Sequence, residues 1–462
     1  MQSSKSDILK KVKFVHLIGI GGIGMSGIAE YLLRQGYSVS GSDITSSFIT
    51  EMLKKLGAKV FSSHRKENIS KEVDLVVYTS AIKNDNPEYS EAINSGIKLI
   101  RRAEMLGDIV NDKILISVSG THGKTSTTAM IAKVLIDNGF DPTVFVGGNL
   151  DFLDGGSSRI GQSKYAVVEA DEYDRSFLAL KSDKIIITNI ETDHTDIYKN
   201  LEDIKNTFNK FCISSKKNPE FIVCGDDSNV KDVIKMSGFK NVKYYGFKMD
   251  NSFAVTDYSS EMNSIEFQIN NSKIKLYLLG RHNALNASAA FILGLSLGIS
   301  SEDCINSLKS FSGVKRRMQL KYSNGINVFD DYAHHPTEVK SSFESLKNSS
   351  PGRIITVFQP HLYSRTKDFY MEFADALKDN DIVILAKLYP AREKEIPGVG
   401  SELILDEIKK ISSIEAYSFD DFGEIISKLK GLMKPGDTIV FQGAGNVTNL
   451  CDEFIKNIKI DR

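Results

Sequence analysis

Short apolar segments rich in β-branched residues recur along this chain, each followed by a stretch with the length and spacing of a helix, and that rhythm restricts the fold to parallel α/β. FVHLIGI (14–20), KILISVS (113–119), YAVVEAD (165–171) and KIIITNI (184–190) are near-continuous apolar runs. Such runs suit strands covered on both faces, whereas a half-exposed strand would alternate. The same pattern returns in GINVFDDYA (325–333), in RIITVFQP and DIVILAK, and in DTIVFQGAG (437–445).

A chain of 462 residues is too long for one core, and at about 150 residues per domain it divides into three. The expected layout is a Rossmann-like N-terminal domain over 1–107, a central P-loop-type domain with a parallel sheet over 108–320, and a C-terminal doubly wound α/β domain over 321–462. Between RIITVFQP and DTIVFQGAG the pattern reads as one further strand, DIVILAK, flanked by helices. Residues 241–279 fit either a small sheet or a long irregular excursion.

Lys and Arg (58) nearly cancel Asp and Glu (59), so no global basic field exists to hold a nucleic-acid backbone. Anion binding must be local. The N-terminal residues carry no signal-peptide core, and nowhere do 18 apolar residues run together, so a cytoplasmic protein with no membrane insertion is expected. Cys212, Cys224, Cys304 and Cys451 lack metal or CxxC spacing and read as reduced, structural residues.

The strongest local signal is Gly120-Thr121-His122-Gly123-Lys124-Thr125, set between a strand and a helix. Backbone N–H groups and the positive helix end converge there, so an anion belongs at that point. Lys124 suits β/γ-phosphate charge and the Thr125 hydroxyl suits Mg²⁺. The loop is GxxGKT, with Val118 where the common GxxxxGK[ST] pattern has glycine. His122 serves equally as a loop donor or a catalyst.

A second glycine loop, Gly19-x-Gly21-x-x-Gly24, also follows a strand and opens a helix ending near Gln35, with Asp43 closing the next strand. Alone, this spacing indicates a dinucleotide. Its physical content is narrower: a helix N-terminus meets a diphosphate, and a carboxylate accepts from a ribose hydroxyl. A UDP-sugar offers both groups.

Strand YAVVEAD ends in Glu169, Asp171 and Glu172, while KIIITNI is followed by Glu191, Asp193, His194 and Asp196. Carboxyl ends of parallel strands share one edge, so both acidic groups are expected to face the phosphate loop, where a metal between them would neutralise phosphate charge. Asp193 and Asp196 also suit solvated or capping roles.

GTHGKTS, EADE, NIETDHTD, GRHNALN, GVKRRMQ, DDYAHHPTEV, FQPHLYSRT and FQGAGN stand in an order and spacing that closely resemble the Mur ligases, over nearly the whole chain. HLIGIGGIGMSGIAE resembles the branch of that family acting on a muramate and alanine. The resemblance implies three domains and an ATP- and Mg²⁺-dependent ligation in peptidoglycan precursor synthesis. The lactyl carboxylate of UDP-N-acetylmuramate takes the γ-phosphate, and L-alanine attacks the acyl phosphate to give amide, ADP and phosphate.

It further implies roles for individual residues. Gly120, Thr121, His122, Gly123, Lys124, Thr125 and Ser126 would line the ATP phosphates. Thr125 would hold one Mg²⁺, Glu169 and His194 a second. Asn283 and Asn286 resemble adenine-side residues, Arg317 a phosphate contact and Asp331 a ribose contact. His361 and Arg365 resemble the substrate-side pair, Arg365 suiting a bidentate grip on the alanine carboxylate. Gly21, Gly22, Ile23 and Gly24, with Asp43, Ser80 and Asn84, would line the UDP-sugar site. Several family members carry a carbamylated lysine after the DH motif; Asn209 or a neighbour stands there, with Lys205 and Lys210 nearby, and no such modification is assigned. Oligomeric state has no signature in the sequence.

Three other readings compete. An NAD(P)-dependent oxidoreductase explains GxGxxG and leaves GTHGKT unexplained. A recycling ligase of the same superfamily would join a preformed peptide to the same UDP-sugar. A non-catalytic nucleotide-binding regulator is at odds with Lys124, Glu169 and His194 all being present.

Overall fold

The computed structural model describes residues 8–460, apart from 196, 262, 348 and 392. The chain divides into two compact units, Met1–Ala254 with Ser288–Ser307, and Val255–Ala287 with Leu308–Arg462.

The first unit holds two parallel sheets. One is built from β1 (Phe14–Ile18), β2 (Ser38–Ser42), β3 (Lys59–Phe61), β4 (Leu75–Tyr78) and β5 (Lys98–Arg101), in the order β3-β2-β1-β4-β5. Helices α1 (Ile23–Arg34), α2 (Phe48–Lys55), α3 (Pro87–Asn94) and α4 (Arg102–Val110) accompany it. Strand order reverses beside β1, so the crevice outside its carboxyl end is a ligand position by topology alone. The loop Gly19 to Gly24 occupies that place.

The other sheet contains β6 (Ile114–Ser119), β7 (Thr143–Phe145), β8 (Ser158–Arg159), β9 (Tyr165–Glu169), β10 (Lys184–Ile187), β11 (Glu220–Cys224) and β12 (Val242–Gly246). Its order is β12-β11-β10-β6-β9-β7-β8, parallel except for β8. Helices α5 (Lys124–Asp137), α6 (Leu201–Ile213) and α7 (Ser228–Ser237) lie in this part of the chain. Pairing of Val118 with Glu169 and of Ser119 with Ile187 brings three strand ends to one edge. A single apolar core joins the two sheets, running from Leu17 and Ile28 through Met105 and Ile109 of α4 to Phe145, Phe177 and Phe208.

Beneath the first sheet's carboxyl edge lies a buried polar network. Glu88 accepts from Ser42 Oγ at 2.5 Å, His64 Nδ1 at 2.9 Å and Asn68 Nδ2 at 2.6 Å, with His16 Nε2 at 3.6 Å. Burial opposes its charge, but these donors win and hold the carboxyl down to about 2.

The second unit contains an antiparallel meander of β13 (Phe253–Glu261), β14 (Ser264–Ile269) and β15 (Ser272–Leu276). Residues 241–279 therefore form sheet structure, and β14 buries alternate residues as a one-sided strand does. Helix α8 (Arg281–Ser296) starts in this unit, while its later turns and most of α9 (Ser301–Lys309) belong to the first unit; a six-stranded sheet follows in the second. Its strands are β16 (Gln319–Ser323), β17 (Asn327–Asp331), β18 (Ile354–Phe358), β19 (Ile382–Ala386), β20 (Glu415–Phe419) and β21 (Thr438–Gln442), in the order β16-β17-β21-β18-β19-β20. The helices are α10 (Pro336–Lys347), α11 (Tyr363–Leu377), α12 (Ser401–Ile411), α13 (Phe422–Leu432) and α14 (Val447–Ile460). Only β16 runs antiparallel.

The sequence pattern between β19 and β21 calls for one helix; the structure has helix, strand, helix. β20 is an edge strand, EAYSF, exposed at Glu415 and half-buried elsewhere, so it lacks the continuous apolar run that marks the inner strands. The four cysteines are buried and unpaired with one another, as their spacing suggests.

Candidate active site

The phosphate loop owes its shape to the segment after β10. Thr121 N donates to Asn189 O at 3.0 Å, His122 N to Asn189 Oδ1 at 2.8 Å, and Thr188 Oγ1 to His122 O at 2.6 Å. Gly120 sits at φ +137°, where a Cβ would lie 2.0 Å from Thr188 Oγ1, so no other residue fits. Gly123 then delivers the chain into α5, which starts at Lys124. His122 is a brace, its Nε2 3.1 Å from Glu191 Oε2.

Lys124 Nζ donates to Gly120 O (2.7 Å), Thr121 O (3.2 Å) and Glu172 Oε1 (2.8 Å). Burial works against its charge, yet Glu172, Asp171 and Glu169 outweigh burial and hold the lysine above its ordinary range. Thr125 Oγ1 donates to Glu169 Oε1 at 2.9 Å, and Gly147 N to Glu169 Oε2 at 2.6 Å. Glu169 is raised, chiefly by burial, and Glu172 is pushed up to about 7 by burial with the help of Asp171.

The expected metal residues therefore fall into two groups. Thr125 and Glu169 are bonded together. His194, at φ +53°, instead joins Asp171 and Glu172, with one ligand atom from each of the three within 4.8 Å of the others. Glu172 Oε2 is buried with no hydrogen-bond partner. Three carboxylates around one ammonium, all oxygen donors and one with an unmet lone pair, fit a hard divalent cation. Sequence position groups Glu172 with Glu169 and Asp171, but the resemblance assigns it no individual role. Asp193 is buried and accepts from His194 N at 2.7 Å. Asp196 lies outside the described residues.

At the other glycine loop, Gly21 N donates to Asp43 Oδ2 and Thr45 N to Asp43 Oδ1, both at 2.9 Å. Asp43 thus shapes the loop; both oxygens already accept backbone N–H groups. A cavity of about 250 Å³ leads from Gly22, Ile23 and Gly24 past Arg102 to Gly147, Glu169 and Asp171. The loop Gly19 to Gly24 and the carboxylates beside Lys124 thereby share one opening within the first unit. Ser80 lines a neighbouring cavity of about 260 Å³ with Arg101, Arg102 and Arg175, while Asn84 is exposed and its carbonyl accepts from Ser90 Oγ. On α6, Lys205 pairs with Asp232 at 2.6 Å, Lys210 is exposed, and Asn209 Oδ1 is buried without a partner.

In the second unit, Asn283 and Asn286 are buried and bonded to each other at 3.2 Å. Asp331 is buried, accepting from Met318 N at 3.1 Å and Ser342 Oγ at 2.5 Å, and burial raises its carboxyl. The Arg316 and Arg317 guanidinium carbons each lie 4.8 Å from the Tyr332 ring centroid. His361 and Arg365 come together, Nδ1 to Nη1 at 3.4 Å, with the His361 ring stacked on Tyr389 at 5.8 Å. Tyr389 bears no motif that would have singled it out.

Three family models match in chain order: Mur ligase family, catalytic domain (14–114), Mur ligase middle domain (118–294), and Mur ligase, glutamate ligase domain (316–445). The chain belongs to the Mur ligase family. It is 42% identical over 458 residues to the UDP-N-acetylmuramate–L-alanine ligase of Clostridium tetani, covering 97% of this chain and 99% of that protein. The ligase of the same name from Acetivibrio thermocellus is 42% identical over 456 residues, covering 97% and 96%. Among solved structures, a UDP-N-acetylmuramate–alanine ligase from Thermotoga maritima superposes with TM-score 0.83 at 29% identity, covering 97% of this chain and 99% of that one. A murein peptide ligase from Psychrobacter arcticus, at TM-score 0.70 and 22% identity over 96% and 98% of the two chains, shares the fold.

Proposed function

We propose that this Mur ligase joins L-alanine to the lactyl carboxylate of UDP-N-acetylmuramate at the expense of ATP, through an acyl phosphate. The observation that carries the reading is the cavity joining the lysine-free glycine loop to Glu169 and Asp171, because one anionic substrate seated there presents its far end to the phosphate-transfer loop.

A carboxylate is a poor electrophile until its oxygen becomes part of a leaving group. Attack of that oxygen on the γ-phosphorus releases ADP; attack of the alanine amine on the carbonyl carbon then expels phosphate as the amine loses its proton. Lys124 and the α5 N-terminus hold phosphate charge, while the N-terminus of α1 holds the sugar diphosphate. Mg²⁺ would offset repulsion between two anionic substrates, with Thr125 and Glu169 as one pair of residues that would hold it and His194 in a second group. Asn283, Asn286, Arg317 and Asp331 serve the nucleotide; His361 and Arg365 serve the amino acid.

No helix among the described residues is long and apolar enough to cross a membrane. A cytoplasmic site of action, where ATP and the UDP-sugar are available, accords with this reading. The deciding assay supplies UDP-N-acetylmuramate, ATP and Mg²⁺ and scores phosphate release with L-alanine, with a tripeptide or with no acceptor. Alanine-dependent release is expected. Release only with the tripeptide, or independent of any acceptor, overturns the assignment.

A further inference from the structure

The lysine of the phosphate loop is fully engaged by acceptors within the protein. Its three acceptors include one formal charge, Glu172 Oε1 at 2.8 Å, and the pair is almost wholly buried. A nucleotide phosphate must therefore take Lys124 away from a carboxylate. That leaves Glu172 as a buried anion with no counter-ion, a costly state unless another cation replaces the ammonium.

The structure already provides for the replacement. Glu172 Oε2 is buried and has no hydrogen-bond partner. The residue is 3% exposed, and Asp171 and His194 each bring a ligand atom within 4.8 Å of it. Glu169, by contrast, has both oxygens occupied, by Thr125 and by Gly147 N. The unmet metal-binding capacity thus lies at Glu172.

We propose that Glu172 exchanges cations: without nucleotide it holds the Lys124 ammonium, and when phosphate takes Lys124 the freed carboxylate ligates a divalent cation together with Asp171 and His194. This rests on the reading of Gly120–Thr125 as the ATP phosphate loop. Glu172 thereby acts as a positioning residue for Lys124 and as a metal ligand by turns. No bond is made or broken; two cations trade places.

The test is run on the full chain with Mn²⁺ as probe, followed by electron paramagnetic resonance, and with ADP followed by calorimetry. Removing the ammonium should mimic phosphate. Nucleotide-free Lys124→Met, which keeps the buried stem, should bind Mn²⁺ about tenfold more tightly than wild type, and the gain should vanish in Lys124→Met/Glu172→Gln. Without divalent cations, Glu172→Gln should bind ADP several-fold more tightly than wild type, since phosphate no longer competes for the lysine; a merely structural glutamate would give weaker binding. Asp171→Asn removes the same charge without touching Lys124 and should gain less.

Unchanged Mn²⁺ affinity in Lys124→Met, or ADP binding no tighter in Glu172→Gln than in wild type or Asp171→Asn, overturns the exchange. The two arms use different variants, so poor folding of one leaves the other decisive. Equal ADP affinity in wild type and Lys124→Met would instead refute the phosphate-loop assignment itself.

Discussion

The two glycine loops of the first unit share strand, tight turn and helix, yet they are built for different work. Gly19 to Gly24 has no lysine, and its one carboxylate, Asp43, is spent on its own backbone N–H groups. Gly120 to Thr125 gathers a lysine and three carboxylates, and its backbone is braced from outside by Thr188 and Asn189. On the proposed reading, the first loop offers fixed dipoles, suited to a diphosphate that does not react. The second, on the same reading, offers a lysine charge set among carboxylates, suited to a phosphate whose charge distribution changes.

Four measurements press on that contrast. The largest effect is expected from Lys124→Ala, which should lower kcat on the order of a thousandfold while leaving UDP-sugar binding near wild type; the melting temperature should fall, because Glu172 loses its buried partner. Loss of UDP-sugar binding in that variant would merge the two loops into one function.

Next is acid. Glu88 is bonded to Ser42 of β2 and so belongs to the sheet that carries the first loop. Its folded carboxyl sits near 2, below the ordinary 4.5, so its stabilising contribution is present above about pH 4.5 and is lost as pH falls through 2. Complete loss is worth on the order of 3 kcal/mol. Urea unfolding between pH 5 and pH 2.5 should lose stability more steeply in wild type than in Glu88→Gln; parallel curves would remove Glu88 as the cause.

Third, Gly21→Ala places a Cβ 2.8 Å from Asp43 Oδ2 and should raise the UDP-sugar KM on the order of tenfold with kcat little changed. A matching fall in kcat would give the first loop a part in the chemistry. The smallest effect belongs to Asp43→Asn, which keeps a side-chain oxygen for the Gly21 N–H and should change the UDP-sugar KM by about threefold or less; a much larger rise would show Asp43 contacting ligand through its charge.

The parts of this molecule readable from sequence are those whose physics is local. Strand, glycine and helix start are contiguous at both loops, and inner strands such as β6, β9 and β10 announce themselves by unbroken apolar runs. β20 escaped because an edge strand may stay half polar. The two carboxylate groups escaped for another reason: Glu169 ends β9, whereas Glu172 falls in the turn beyond it, where the alternation of a strand no longer tells which way a side chain points. The chain passes through left-handed Asp174 and Arg175 immediately after, a conformation no residue type there foretells.

Thr188 has a consequence in time as well as space. Its hydroxyl fills the space that only glycine at 120 leaves open and fixes His122 from 66 positions away in the chain, and Glu191 closes on Thr121 from 70. During synthesis the motif is complete at Thr125, but nothing can hold it in shape until Glu191 has left the ribosome and β10 has docked. An emerging chain therefore spells this loop well before the residues that brace it have been made.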